Sequence, residues 1–204
     1  MSAYRAIIFD LGKVVFDLSE DRAFQSWANS SGRSLHDIKS KFAYDEVPEI
    51  FETAEISATQ FRSIISSRLD IHLSDADFDK GWCDIYLDKY DGIDNLLIDL
   101  KGNYKLVALT NTNIIHATVW PLRFAGTLSH FEKIFSSHEI AARKPDAKAF
   151  KIVLDYLQCK PAEVIFLDDN ADNIHGADEL GIETILVTSQ EKMRAELKTK
   201  GLMI

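Results

Sequence analysis

The feature that most constrains this chain is a short apolar run, residues 6–9 (AIIF), that ends abruptly in Asp10 and is followed by Gly12. A run of this length and composition predicts a strand buried on both faces, as in the interior of a parallel sheet. Asp10 then falls at the carboxyl end of the strand, where open α/β sheets bind their ligands. Gly12 allows a sharp backbone turn, and its carbonyl can face the same point as Asp10. A solvated acid at a strand end is the simpler alternative.

Residues 16–90 have a different pattern, typical of successive amphipathic helices without a convincing buried strand. Apolar side chains within residues 23–28 share one helical face, and Ser57 with Gln60 forms a capping box before another apolar stripe. We predict a small bundle of about four helices over this segment. Its large aromatic side chains, expected mostly in the core of the bundle, are Trp27, Phe61 and Trp82.

From Gly92 onward, apolar strands and amphipathic helices alternate. The predicted strands cover residues 105–109, 134–135, 164–167 and 184–187. Gly181 is placed to end the helix before the last of them. This alternation predicts an α/β fold with a doubly wound parallel sheet. Because the first strand must return to that sheet, the helical segment is predicted to lie over the carboxyl ends of the strands as a lid.

Composition bounds the class of protein and its partners. The 204 residues suffice for one α/β core with an insertion, and a net charge of −9 argues against a broad nucleic-acid surface. No apolar run approaches the roughly 18 residues of a membrane span, and the first residues lack a signal-peptide pattern. Cys83 and Cys159 lie far apart, without metal-binding spacing, as is typical of a reducing compartment. We therefore expect a cytoplasmic protein.

Polar side chains recur where the predicted strands end or in loops beside them. They are Asp10, Thr110 with Asn111, Arg143 with Lys144, and Asp168 with Asp169. In a parallel sheet these groups converge on one edge. Carboxylates from two strands and a backbone carbonyl suit a hard cation such as Mg²⁺, whereas a hydroxyl, an amide and a lysine suit phosphate oxygens. A metal-held carboxylate beside a bound phosphate can act as a nucleophile and form an aspartyl-phosphate.

Taken in order, these motifs resemble those of the haloacid dehalogenase (HAD) superfamily. Residues 7–12 (IIFDLG) match its first motif, residues 109–111 the second, Lys144 in ARKPDA the third, and residues 166–169 (FLDD) the fourth. The resemblance covers essentially the whole chain. It implies a HAD-like Rossmannoid core formed by residues 1–15 and 91–204, with residues 16–90 as an inserted helical cap of the C1 type.

The resemblance also implies roles for individual residues. Asp10 would be the nucleophile, and Mg²⁺ would be the cofactor. The metal ligands would be Asp10, the Gly12 carbonyl and Asp169. The phosphate would be held by Thr110, Asn111 and Lys144. Asp168 and Asn173 would support the metal ligands without binding the metal directly. Asn173 occupies the position at which some relatives have a further acid.

One position departs from the family pattern. Phosphatases of the superfamily usually carry a second aspartate, two residues after the nucleophile, as general acid and base, but here that position is Gly12. Loss of a positioned acid lowers a rate by about 10²–10⁴-fold. Dehalogenases also lack this aspartate and need no magnesium, so a 2-haloacid dehalogenase is one alternative, although the pair Asp168-Asp169 favours a metal. A non-catalytic protein that binds a sugar phosphate is the other.

The segments FDLGKVV, TNTNIIHATVWP, RKP and DDNADNI also resemble a subgroup that has glycine at this position. It includes bacterial α-D-glucose-1-phosphate phosphatases. The resemblance therefore predicts a phosphatase for a small phosphorylated metabolite such as glucose 1-phosphate, whose anomeric oxygen is a comparatively good leaving group. His116 and Trp120, four residues apart, either line the substrate pocket or pack on a helix face.

Overall fold

The computed structural model describes residues 4–43 and 45–202. Residues 1–3, 44, 203 and 204, which belong to the predicted core and cap ranges, lie outside the described residues. The strands are β1 (Ala6–Phe9), β2 (Phe16–Leu18), β3 (Tyr86–Lys89), β4 (Lys105–Thr110), β5 (Lys133–Ser136), β6 (Val164–Asp168) and β7 (Glu183–Leu186). The helices are α1 (Glu20–Ser31), α2 (Leu35–Lys41), α3 (Glu46–Glu52), α4 (Ala58–Leu69), α5 (Asp75–Cys83), α6 (Ile93–Lys101), α7 (Trp120–Arg123), α8 (Ala125–Leu128), α9 (Ser137–Ile140), α10 (Ala147–Leu157), α11 (Ala171–Asp178) and α12 (Gln190–Thr199), with short 3-10 turns at His116–Thr118 and Pro161–Glu163. None of the helices described is long and apolar enough to cross a membrane.

Within the described chain, five of these strands form one parallel sheet in the order β5-β4-β1-β6-β7. The central strand β1 pairs with β4 and with β6, so that Ile8 lies opposite Val107 on one side and Phe166 on the other. All four residues of β1 are fully buried, as the apolar run predicts. Helices cover both faces of the sheet, and the predicted α/β fold with a doubly wound parallel sheet is confirmed.

The two faces of the sheet bury separate hydrophobic cores. Ile7 and Phe9 belong to the core on the side of α6 and α12, whereas Ile8 belongs to the core on the side of α10 and α11. Because side chains alternate between the faces of a strand, a central strand between two helical layers must be apolar throughout. This requirement explains why the run has no polar alternation and why Asp10 marks its end.

The helices α1 to α5 lie between β2 and β3 and enclose a third core of their own. We call this segment, residues 20–83, the insert. Trp27 and Trp82 stack in it with ring centroids 5.4 Å apart, and Phe51 stacks on Phe61 at 4.1 Å. The close approach of α1 and α5 depends on Gly81, since a Cβ there would lie 2.3 Å from the Trp27 ring. The aromatic residues expected in the core of this segment are thus buried there.

The region around the insert differs in detail from the sequence prediction. About four helices without strands were expected in residues 16–90, but the described part of this range holds five helices and the antiparallel ribbon β2–β3. The ribbon strands have three and four residues, and half of β3 is exposed, so neither carries an apolar run. Helix α3 has seven residues and contains Pro48, which weakens its helical pattern. The division of the chain into core and cap stays a prediction.

Candidate active site

The polar ends of three neighbouring strands meet at the carboxyl edge of the sheet. Asp10 follows β1, Thr110 ends β4 and Asp168 ends β6, and all three side chains are buried. A cavity of about 270 Å³ opens at this edge. The predicted site residues that line it are Asp10, Gly12, Thr110, Asn111, His116, Lys144, Asp169 and Asn173. The structure therefore brings the predicted residues together, with Asp168 fully buried beside them.

Lys144 lies at the centre of the charged groups. Its Nζ donates to Asp10 Oδ1 and to Asp168 Oδ2, both at 2.6 Å, and its side chain is 1% exposed. Burial lowers the pKa of an ammonium group, but the two carboxylates outweigh burial, and the pKa of Lys144 rises above its usual value. Lys144 is therefore a permanent cation that uses two of its three N–H groups to hold carboxylates.

Asp10, Asp168 and Asp169 form a cluster in which each offers an oxygen within 4.8 Å of the others. With Lys144 the cluster has a formal charge of −2, which is costly in a buried site. Burial raises the pKa of Asp10, only partly opposed by Lys144, and Asp168 raises it further. Burial also raises the pKa of Asp169, again with a contribution from Asp168. Oxygen donors with this excess charge fit a hard divalent cation such as Mg²⁺.

Asp168 is fixed in place by a network of hydrogen bonds. The Asn173 amide donates to both of its carboxylate oxygens at 3.1 Å, and the backbone N–H of Asn170 donates to Oδ1 at 2.8 Å. Lys144 donates to Oδ2. Asn173 therefore holds the Asp168 carboxylate, and Asp168 in turn holds the Lys144 ammonium. Both positions suit the supporting role around the metal that the sequence predicts for these two residues.

Asn111 uses both polar atoms of its side chain on the backbone of Lys144. Its Nδ2 donates to the Lys144 carbonyl, and its Oδ1 accepts from the Lys144 N–H, each at 2.9 Å. This paired contact fixes the loop that carries Lys144 to the end of β4. Asn111 therefore positions Lys144, while its predicted contact with a phosphate stays a prediction, as does that of Thr110.

The backbone turn after Asp10 is made at a different residue from the one expected. Lys13 adopts the left-handed conformation with φ 57°, whereas the φ of Gly12 lies outside that region. A Cβ at position 12 would lie 2.6 Å from Leu18 Cδ1 in β2, so the end of that side chain would have to move to accept it. The absence of a side chain at position 12 thus leaves room for the Leu18 side chain of β2.

The insert contributes a titratable side chain to the cavity. Glu52, the last residue of α3, accepts a hydrogen bond from Arg143 Nε at 3.0 Å, and the Arg143 Nη1 lies 3.0 Å from Glu49. Glu52 and Arg143 line the cavity together with aromatic walls formed by Trp82, Tyr86 and Trp120. These contacts of Arg143 connect the insert to the loop that carries Lys144.

A family model described as a haloacid dehalogenase-like hydrolase matches residues 4–181. The chain belongs to the haloacid dehalogenase-like hydrolase family. The matched range extends from β1 through α11 and includes the cluster around Lys144 as well as the insert. The family predicted from the four motifs is therefore confirmed.

Individual relatives resemble this hydrolase over most of its length. A curated D-ribitol-5-phosphate phosphatase from Bacteroides thetaiotaomicron is 24% identical over 200 residues, which cover 94% of this chain and 95% of the relative. A solved HAD family enzyme from the same organism, in complex with magnesium and inorganic phosphate, is 27% identical, with a TM-score of 0.78 and coverage of 93% and 98%. The L-2-haloacid dehalogenase of Xanthobacter autotrophicus shares the fold, with a TM-score of 0.66 at 18% identity and coverage of 98% and 85%.

His116 lines the cavity of the hydrolase but has both ring nitrogens engaged. Its Nε2–H donates to the Trp82 carbonyl at 3.0 Å, and its Nδ1 accepts from the Asn113 amide at 3.2 Å. The ring also stacks on Trp82 with centroids 4.8 Å apart. Burial lowers the pKa of His116 to about 4, although the hydrogen bond to the Trp82 carbonyl acts in the opposite direction. The His116 side chain is therefore a neutral structural group. It lines the cavity and also packs against Trp82, so the two alternatives stated for it both hold.

The buried neutral imidazole predicts a specific loss of stability in acid. Because His116 takes up its proton near pH 6.5 in the unfolded chain but only near pH 4 in the folded one, its contribution is present above pH 6.5 and is lost as the pH falls to 4. We expect this group to remove about 3 kcal/mol from the free energy of unfolding over that interval. Urea unfolding of wild type and His116→Gln from pH 7 to 4 measures it: the variant should show the flatter profile, and the exposed His36→Gln should retain the wild-type slope. Parallel profiles for wild type and His116→Gln would contradict the assignment.

The part of the cavity formed around the insert was missed by sequence reasoning. Glu52 is one of several acids in EVPEIFETAE, and its spacing does not distinguish it from the exposed ones. Tyr86 begins the short strand β3, which was itself not predicted. Both residues depend for their position on the packing of the insert against the core, which has no signal in local periodicity.

Proposed function

We propose that this hydrolase is a Mg²⁺-dependent phosphatase that cleaves a small phosphomonoester through an aspartyl-phosphate on Asp10. The observation that carries the proposal is the buried cluster in which Asp10 and Asp168 hold Lys144 beside Asp169. Two relatives support it, because one is named as a sugar-alcohol phosphate phosphatase and the other was solved with magnesium and inorganic phosphate.

The proposed reaction begins with attack of the Asp10 carboxylate on phosphorus. Lys144 orients that carboxylate, and its third N–H donates to a phosphoryl oxygen, as does the hydroxyl of Thr110. A Mg²⁺ ion held by Asp10, the Gly12 carbonyl and Asp169 would supply the positive charge that lets an anionic phosphate approach a carboxylate. Water then hydrolyses the aspartyl-phosphate and regenerates Asp10.

The proposed substrate is a sugar or sugar-alcohol phosphate, and glucose 1-phosphate is the candidate that the sequence motifs favour. A cavity of about 270 Å³ suits a small metabolite. Its walls combine the aromatic side chains of Trp82 and Trp120 with the polar groups of Glu52 and Arg143. Carboxyl and guanidinium groups complement the hydroxyls of a polyol as acceptor and donors.

The magnesium requirement is tested by removing the metal and by removing a ligand. We expect Asp169→Asn, and wild type in excess EDTA, to hydrolyse p-nitrophenyl phosphate about 10²-fold more slowly, because a metal stabilises transition-state charge by several kcal/mol. Added Mg²⁺ should restore the EDTA-treated wild type. Steady-state rates over a Mg²⁺ titration measure both effects, and Asp172→Asn, an exposed acid three residues further along, is the matched control.

Two other results would favour the alternative functions. Full turnover of the ester in excess EDTA would contradict the magnesium role, and chloride release from 2-chloropropionic acid under those conditions would indicate a dehalogenase. Tight binding of a sugar phosphate without turnover of any ester would indicate the non-catalytic binding protein.

A further inference from the structure

Hydrolysis of an alkyl phosphate requires a proton for the departing oxygen, and Gly12 has no side chain to supply it. In an in-line displacement the leaving oxygen lies opposite the attacking Asp10 carboxylate. A replacement acid must therefore line the same cavity from another element.

Most titratable groups that line the cavity in the described structure already have another role or another partner. Asp10 and Asp169 are the proposed nucleophile and metal ligand. His116 is a neutral donor to the Trp82 carbonyl. Glu20 pairs with Lys13 at 3.3 Å, and its side chain is 41% exposed. None of these groups combines a buried position with a transferable proton.

Glu52 has the required position and environment. It belongs to the insert, lines the cavity with Asp10, and its side chain is 23% exposed, compared with 55% for Glu49. Arg143 contacts both glutamates, so a single guanidinium charge is shared by two carboxylates. Burial makes Glu52 costly to ionise and so favours its protonated form.

The charged and titratable groups around Glu52 act in both directions. Burial raises its pKa, and Glu49 raises it further, whereas Arg143 and Lys144 lower it. The net direction is upward. Tyr86, also in the cavity, is too weak an acid to compete, because burial raises the pKa of its phenol strongly.

Building on the phosphatase function proposed above, we propose that Glu52 is the general acid and base of this hydrolase, in place of the aspartate that Gly12 replaces. Asp10 forms a bond to phosphorus as the bond from phosphorus to the ester oxygen breaks. The electron pair of that bond stays on the oxygen, which takes the proton of the Glu52 carboxyl and leaves as an alcohol. The Glu52 carboxylate then removes a proton from water, whose oxygen attacks phosphorus. The electron pair of the phosphorus–Asp10 bond returns to Asp10, inorganic phosphate leaves, and Glu52 is protonated again.

The experiment compares esters that differ in their need for a proton. An aryl oxygen leaves as a stable anion, so p-nitrophenyl phosphate needs little help, whereas ethyl phosphate and glycerol phosphate need an acid. We expect Glu52→Gln to lower kcat/KM for both alkyl esters by about 10²-fold or more and for the aryl ester by less than about threefold. Retained turnover of the aryl ester also shows that the variant is folded.

Two further variants separate proton transfer from packing. Glu55→Gln, an exposed acid three residues further along, should leave all three rates unchanged. Glu49→Gln keeps Glu52 but removes a neighbouring negative charge, which lowers the pKa of Glu52. Its alkyl-ester activity should therefore fall off at a lower pH than that of wild type, without loss at acidic pH.

Four other outcomes would contradict either the role of Glu52 or the phosphatase function itself. Equal loss on aryl and alkyl esters in Glu52→Gln would make Glu52 a positioning residue, and no loss on any ester would remove it from the reaction. Loss on glycerol phosphate alone would make it a hydroxyl-binding residue. If wild type with Mg²⁺ turns over none of the three esters, the phosphatase function itself is wrong and the assignment falls with it.

Discussion

Asp10→Asn is expected to lower kcat for any phosphomonoester by at least about 10⁴-fold, the order of loss seen when a covalent nucleophile is removed from an enzyme. The substitution keeps the shape of the side chain but replaces an anionic oxygen by an amide. Acid quenching during turnover should trap a phosphoryl group on the wild-type peptide that contains Asp10, and none on the variant. Peptide mass spectrometry measures this label and also detects deamidation back to aspartate. Near-normal turnover by an intact Asn variant would contradict the nucleophile assignment.

The loss of activity should occur without a loss of fold. Asp10→Asn removes one of two carboxylates that share the Lys144 ammonium, and the ion pair of Lys144 with Asp168 remains at 2.6 Å. The remaining pair is balanced in charge, so we expect a Tm no lower than that of wild type. A large drop in Tm would indicate that Asp10 acts in stability and that the loss of activity is indirect.

The sheet was predictable because its sequence signals are local. A strand buried on both faces must be apolar along its whole length, and β1 and β6 are short runs that end in acids at the edge of the sheet. Parallel strands with helical crossovers place those ends together, so the convergence of Asp10 with Asp168 follows from the topology. Gly181 has the left-handed φ of 78° that its position suggests, but α11 already ends at Asp178 with Glu179 as its C-cap, so Gly181 lies in the turn beyond the helix end.

The details of the site depend on contacts between distant segments. The amide of Asn111 holds the backbone of Lys144, 33 residues away, and Arg143 meets Glu52 at a separation of 91 residues. No periodicity or spacing encodes these pairs. The same applies to Gly12, whose sequence signal predicts a turn, whereas in the structure its close neighbour is the Leu18 side chain across the loop.

Replacement of Lys144 by methionine is expected to have the largest effect on stability of the changes considered. Lys144 is the one charge between two buried carboxylates, and methionine has a similar length but no charge. Removing one partner of a buried ionic cluster leaves uncompensated charge and costs about 3–5 kcal/mol. We expect a loss of this size in the free energy of unfolding without metal, together with loss of phosphatase activity. Urea unfolding measures the loss, and the exposed Lys151→Met on α10 is the matched control.

A double variant identifies the cause of that loss. If the cost comes from Asp10 and Asp168 facing each other unpaired, then Asp168→Asn in the Lys144→Met background should recover part of the free energy of unfolding, because it removes one of the two charges. In the wild-type background Asp168→Asn relieves less repulsion, since Lys144 is present, so the two substitutions should couple by about 1 kcal/mol or more in a double-mutant cycle. If the loss came from packing of the lysine stem instead, the two substitutions would add, and the carboxylates would have no part in it. Mg²⁺ provides an independent check, because a cation bound by Asp10 and Asp169 should reduce the destabilisation of Lys144→Met by supplying the missing positive charge.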